Sequence, residues 1–132
     1  MLTDITRAIT QRIEAAVTGE IAWPDRGYDP RLGVPYTQVR FAGRDRRAAG
    51  VGPTAPKIWQ GVLYLVVHEP PGGGMVAADQ RAQAVAEAFP RGLSLVSGAA
   101  TVIVEDCSIQ APQSAADWVA VPVAVFWTCM EP

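Results

Sequence analysis

The sequence predicts an α+β fold: a single, mostly antiparallel sheet of four to five strands packed with two helices, in the order α-β-β-α-β-β. Three observations carry that expectation. Apolar residues recur at helical spacing in two stretches, one opening the chain and one at its middle. Long β-branched and aromatic runs lie between and after them. Clusters of proline and glycine separate one run from the next. At 132 residues the chain is the size of one domain, 1–132, and can bury a core without disulfide or metal staples.

Leu2, Ile5, Ile9, Ile13, Ala16 and Val17 form the first apolar stripe, with Arg7, Gln11, Arg12 and Glu14 between them. Thr3 is placed to cap this helix, Asp4 suits the positive end of its dipole, and Gly19 can stop it. Pro24, Gly27, Pro30, Gly33 and Pro35 make the next stretch a loop, apart from a short strand around Ile21 to Trp23. A strand is expected from Tyr36 to Phe41. A loop from Ala42 to Lys57, rich in Gly, Pro, Ala and Arg, is expected to follow. Loops of that length inside a compact domain tend to be functional, or ordered only on binding.

Ile58 to His68 is the strongest strand. Val62, Tyr64 and Val66 point one way, and Leu63, Leu65 and Val67 the other. Both faces are apolar, so both are expected to be covered: one by the core, the other by a second layer or a neighbouring subunit. Pro70, Pro71 and Gly72 to Gly74 read as a turn. A helix from Met75 to Phe89 follows, with Met75, Ala78, Ala82, Val85, Ala86 and Phe89 as its buried stripe. Pro90 and Gly92 end it. Strands over Thr101 to Ile109 and Trp118 to Cys129 complete the fold. Val119, Val121, Val123, Val125 and Trp127 alternate onto one face of the last strand. Pro122 cannot donate to a ladder, so this strand is expected at a sheet edge or locally bulged.

The net charge of −2 excludes a global basic field that would attract nucleic acid. Charged residues make up 18%, a little low, which suits a subunit that buries part of its surface against neighbours. Cys107 and Cys129 have no partners at metal-ligand spacing and read as free, buried thiols. The chain opens on an amphipathic pattern, not on a basic region followed by an apolar run, so no secretory leader is expected. No apolar stretch reaches the roughly 18 residues of a membrane span. Synthesis and residence in the cytoplasm are the expectation.

Catalytic groupings are not found. His68 and Glu69 are adjacent, so a strand sends them to opposite faces, and they read as a polar strand end. Glu105 and Asp106 fail as a carboxylate dyad for the same reason. Ser94, Ser97, Ser108 and Ser114 have no elbow motif and no partner histidine. Gly72 to Gly74 precede a helix, but neither Lys-Ser/Thr nor the G-x-G-x-x-G spacing is present, so they read as a turn. No catalytic residue, cofactor or metal site is expected.

The cations are more informative. Arg44, Arg46, Arg47 and Lys57 crowd the expected loop, with Asp45 among them. They form either a solvated excursion or a surface that docks onto something acidic, such as a protein or the DNA-facing wall of a channel. Trp23, Trp59, Trp118 and Trp127 read as core or interface aromatics, with at least two in the core.

Several fragments recur in a fixed order. They are the N-terminal amphipathic helix, Gly33-Val34-Pro35-Tyr36, Ile58-Trp59-Gln60-Gly61-Val62, Pro70-Pro71-Gly72-Gly73-Gly74, an Ala-rich helix closing on Ala88-Phe89-Pro90-Arg91-Gly92, and Val121-Pro122-Val123. In that order and spacing the sequence resembles the tail-terminator (tail-completion) proteins of long-tailed bacteriophages and related gene transfer agents. The resemblance spans nearly the whole chain but leaves out Ala42 to Pro56 and Gln110 to Asp117.

The resemblance implies a structural virion protein, not an enzyme. Copies of the chain would form a hexameric ring that caps the growing tail tube, stops its polymerisation and joins the tail to the head connector. The implied partners are the chain itself, the tail tube protein and the head–tail connector or stopper protein. Non-specific contact with DNA in the channel is compatible; a membrane is not implied. The implied place is the virion tail or neck, assembled in the host bacterial cytoplasm. On that reading Arg44, Arg46, Arg47 and Lys57 dock the tube or line the channel, and Trp59, Pro122 and Trp127 lie at a subunit interface. Two alternatives stand beside it. One is another neck or minor tail component, such as a tube subunit or connector stopper. The other is a small-molecule-binding domain, which needs a closed pocket with convergent polar groups that these residues do not supply.

Overall fold

The first helix, α1 (Leu2–Ala16), follows its apolar stripe: Ile5, Ala8, Ile9 and Ile13 are buried and Asp4 sits in the first turn. Met1 rather than Thr3 is the N-cap residue, and no side chain closes the cap. The second helix, α2 (Gly74–Glu87), buries Ala78, Ala82 and Val85, with Phe89 just beyond its end. Met75, expected in that stripe, is exposed. Arg12 Nε donates to the carbonyl of Ala88 at 2.9 Å and so ties α1 to the far end of α2. This computed structural model describes residues 1–115 and 117–131.

The strands are β1 (Glu20–Ala22), β2 (Tyr36–Ala48), β3 (Lys57–Glu69), β4 (Ser94–Ser97), β5 (Ala100–Ile109), β6 (Gln113–Ser114) and β7 (Val119–Glu131). They form one seven-stranded sheet in the order β1-β2-β3-β7-β5-β4, with β6 paired to β7. The sheet is thus larger than the expected four to five strands. It is also mixed, because β1 runs parallel to β2 while the other pairs are antiparallel.

Two further expectations are corrected. The loop expected over Ala42 to Lys57 is a hairpin: Gly43 to Ala48 pair with Val62 to Lys57, and only residues 49–56 form the tip. Arg44, Arg46 and Arg47 are therefore strand residues. Cross-strand hydrogen bonds to β3 hold them extended despite their polar composition. The strand carrying Pro122 is not an edge, for β7 lies between β3 and β5. Pro122 is accommodated because its nitrogen, which has no hydrogen to donate, faces the gap between β5 and β6. Its carbonyl accepts from the Gln110 amide at 2.8 Å, and in an antiparallel strand both groups of a residue point the same way. There β5 has ended at Ile109 and β6 has not begun.

Both helices cover the same face of the sheet. Leu63, Leu65 and Val67 of β3, Val121, Val123, Val125 and Trp127 of β7, and Val102 and Val104 of β5 form the core with them. Among the described residues no second layer of this chain covers the opposite face, one of the two covers the sequence allowed there. Val62, Tyr64 and Val66 are half-buried there, and Phe126, Met130 and Val96 are exposed. Of the four tryptophans, Trp127 alone is fully buried; Trp23, Trp59 and Trp118 are intermediate. Cys129 is buried and Cys107 half-buried, and both are free.

At the end of β3, Glu69 turns to the helix side, where Arg81 of α2 donates to its carboxylate. The Glu69 side chain is 10% exposed. Removing one partner of such a pair leaves a buried charge uncompensated. Arg81→Ala is expected to lower stability by about 3 kcal/mol. Adding Glu69→Gln to that variant should recover part of the loss; urea denaturation of the set measures both.

Candidate assembly surface

The cationic residues do not converge on one point. Strand alternation puts Arg44 and Arg46 on the helix side of β2 and Arg47 on the open side. Arg44 reaches α1, donating to Thr6 Oγ1 at 3.3 Å, and lies over the Phe41 ring at 5.2 Å. Arg46 sits over the Trp59 ring at 5.5 Å and 3.7 Å from Glu131. Trp59 Nε1 also donates to Glu131, at 3.0 Å. Lys57 pairs with Ala48 at the base of the hairpin tip. These four residues therefore decorate both faces of one projecting arm.

Of the residues expected at a subunit interface, Trp59 lies half-buried on this arm. Pro122 is on the open sheet face at the far end of β3, across from Val66. Trp127 is 2% exposed and belongs to the chain's own core.

The open face is built by alternate residues of the central strands. Ile58, Val62, Tyr64 and Val66 come from β3, and Pro122, Ala124, Phe126 and Met130 from β7. Two shallow grooves cross it. One lies among Arg47, Ile58, Gln60, Thr128 and Met130 at the arm end. The other lies among Arg40, Tyr64, His68, Gln113 and Pro122. The second gathers Gln38, Arg40, His68, Gln110 and Gln113, but both lie open on the sheet surface and neither is the closed pocket that buries a small ligand. Among the described residues no group of three or more His, Cys, Asp or Glu is placed to hold a metal ion. No described helix is long and apolar enough to cross a membrane.

His68 closes one end of the open face. Its ring stacks on Tyr36 with centroids 4.4 Å apart, and Trp118 meets Tyr36 edge-on at 5.2 Å. Nε2 lies 3.4 Å from Gln38 Oε1, and buried Nδ1 has no partner. Burial pushes the imidazole down from its ordinary value of 6.5. Above 6.5 folded and unfolded chains both hold it neutral, and its contribution to stability is complete. As pH falls below 6.5 the unfolded chain takes up the proton first, so stability declines until the lowered folded value is passed. Melting midpoints should therefore drop as pH falls below 6.5, and His68→Gln should shrink that drop.

The chain matches the family described as phage tail terminator protein over residues 4–127. It belongs to the phage tail terminator family. As a member of that family it is a structural phage tail protein. Two solved structures share its fold. One is 23% identical with a TM-score of 0.67, covering 94% of this chain and 94% of that one. The other, titled as the virion of a native gene transfer agent particle, is 18% identical with a TM-score of 0.60, covering 99% and 97%. No curated protein matches by sequence. In a tail terminator family member, the sheet face left without a cover and the arm beside it are the surfaces that a lone chain leaves unsatisfied.

Proposed function

We propose that this chain, acting over 1–132 as one tail-terminator domain, caps the tail tube of its particle as a hexameric ring, stops tube polymerisation and offers a surface to the head connector. The observation that carries this is the open apolar sheet face, continuous at one end with the arginine arm. Exposing Phe126, Met130 and their neighbours to water is unfavourable, and a particle component is where they become covered. Arg47, Ile58 and Met130 lie together where arm and face meet, so tube docking draws on charge and apolar area at once. Arg44, Arg46 and Lys57 extend that surface around the arm, and a channel wall there also tolerates DNA phosphates. Trp59 and Pro122 contact neighbouring copies, and Trp127 supports that contact from beneath. Repetition around a ring multiplies each weak contact by avidity. The place of work is the virion neck, after assembly in the host bacterial cytoplasm.

The test is mass in solution by light scattering, over a concentration series and with tail tube protein added. A ring-sized species, alone or on addition of tube protein, is the expected result. A chain that stays monomeric and ignores tube protein contradicts it. Replacing Arg44, Arg46 and Arg47 together by alanine should leave the fold intact and weaken binding to tube protein at least tenfold. Unchanged binding would remove the arm from the docking surface. A second reading, another neck or minor tail component, rests on the neighbouring fold coming from a whole particle whose title singles out no part. A chain that binds a connector but not the tube end would favour it.

A further inference from the structure

Among the described residues the sheet has two open backbone edges, and they carry opposite charge. On one side β1 covers β2 only at Tyr36 to Gln38. Past Gln38, among the described residues, no backbone hydrogen bond reaches β2 from its outer side. That open stretch carries Arg40, Arg44, Arg46 and Arg47, all exposed, against the single acid Asp45. On the other side β4 covers β5 only as far as Ile103, and Leu93 and Gly92 bond to Val104. Beyond it Glu105 and Asp106 are exposed. The Cys107 amide, with no strand beside it, turns to the Asp106 carboxylate at 2.8 Å.

We propose that copies of this chain join head to tail by pairing the open edge of β2 with the open edge of β5 of the next copy. The proposal rests on the ring proposed above and says how its subunits are joined. Direction fits: β2 and β5 are separated by three antiparallel steps, so copies standing the same way up bring them together antiparallel. Height fits as well. Gly43, Val62, Phe126 and Asp106 stand in one row across the sheet. Copies at equal height therefore place Arg40 and Arg44 on either side of Glu105 and Asp106. Each edge has its bulge at that same level, between Phe41 and Gly43 on β2 and between Val104 and Asp106 on β5. Opposite charges across neighbouring strands favour this pairing. The same charges oppose the wrong one, since two β2 edges would set arginine against arginine. Unlike edges make a heterologous contact, the kind that closes into a ring.

Two charge-reversed chains test this: Glu105→Lys with Asp106→Lys, and Arg40→Glu with Arg44→Glu. Both leave Arg46, Arg47 and Lys57 in place, and the first also leaves Arg44, so loss of its ring cannot come from the tube-docking arm. Folding of each is checked by circular dichroism, and assembly with tail tube protein is read by native mass spectrometry. Each variant alone should lose the ring species. An equimolar mixture should restore it with one-to-one composition, because every junction then pairs a reversed edge with its complement. Exchange of the Cys107 and Ile109 amides should slow on assembly, since a neighbouring strand would cover them. Rings formed by either variant alone, or a mixture that stays dissociated, would overturn edge pairing while leaving the ring itself standing. A wild-type chain that forms no ring with tube protein would overturn both.

Discussion

Gly61→Ala is expected to be the most damaging single-methyl change in this protein, costing about 3 kcal/mol or more. A Cβ at position 61 would lie 2.0 Å from the Gly43 carbonyl oxygen and 2.7 Å from Cζ2 of Trp127. Neither neighbour can retreat. The oxygen belongs to the backbone of β2 just past its bulge, and Trp127 is packed into the core at 2% exposure. Gly61 is thus where β2, β3 and β7 close on one another, and the methyl must part strands or displace the indole. Urea denaturation should show a lowered midpoint with an unchanged slope. Gly27→Ala serves as control, because nothing lies within 4 Å of its Cβ. It should stay within about 0.5 kcal/mol of wild type. Equal effects for the two would mean that the strands do not approach as described.

The second large effect is on assembly. Phe126→Asp with Met130→Asp should abolish binding to tail tube protein while costing about 2 kcal/mol of stability or less. The two side chains are 37% and 57% exposed on the open face, so the fold loses little when they change. A covered interface loses much more, since it must then bury two carboxylates without partners. Val76→Asp controls for exposed apolar area as such: Val76 is 69% exposed, but on α2, behind the sheet. Binding by sedimentation should vanish in the first variant and persist in the second. Equal binding in both would remove the open face from the docking surface.

What the sequence could show depended on whether one face of an element is buried in the chain itself. α1, β3 and β7 were legible because Ile5, Ile9 and Ile13, Leu63, Leu65 and Val67, and Val121 to Trp127 alternate against a core. The far half of β2 was not. Its side chains from Arg44 to Ala48 are exposed on both faces, and pairing with β3 alone makes it a strand. Periodicity also cannot distinguish a face covered by the core from one awaiting a partner, which is why β3 read as doubly covered. Pro122 pointed to an edge because the rule assumes a neighbour on each side of every residue, whereas here the neighbour changes at that one position. Glu69 looked like a polar strand end; only the packing of α2 on β3 pairs it with Arg81. The arginines were legible as a cluster, but their division between two faces required the strand.

The length of tail tubes assembled from purified tube protein, read by electron microscopy with and without this chain, tests termination most directly. If the chain is the terminator, adding it early should give short tubes with a ring of extra density at one end, and adding it late should stop growth at the length reached. Tubes that keep lengthening at the same rate, with bare ends, would contradict it.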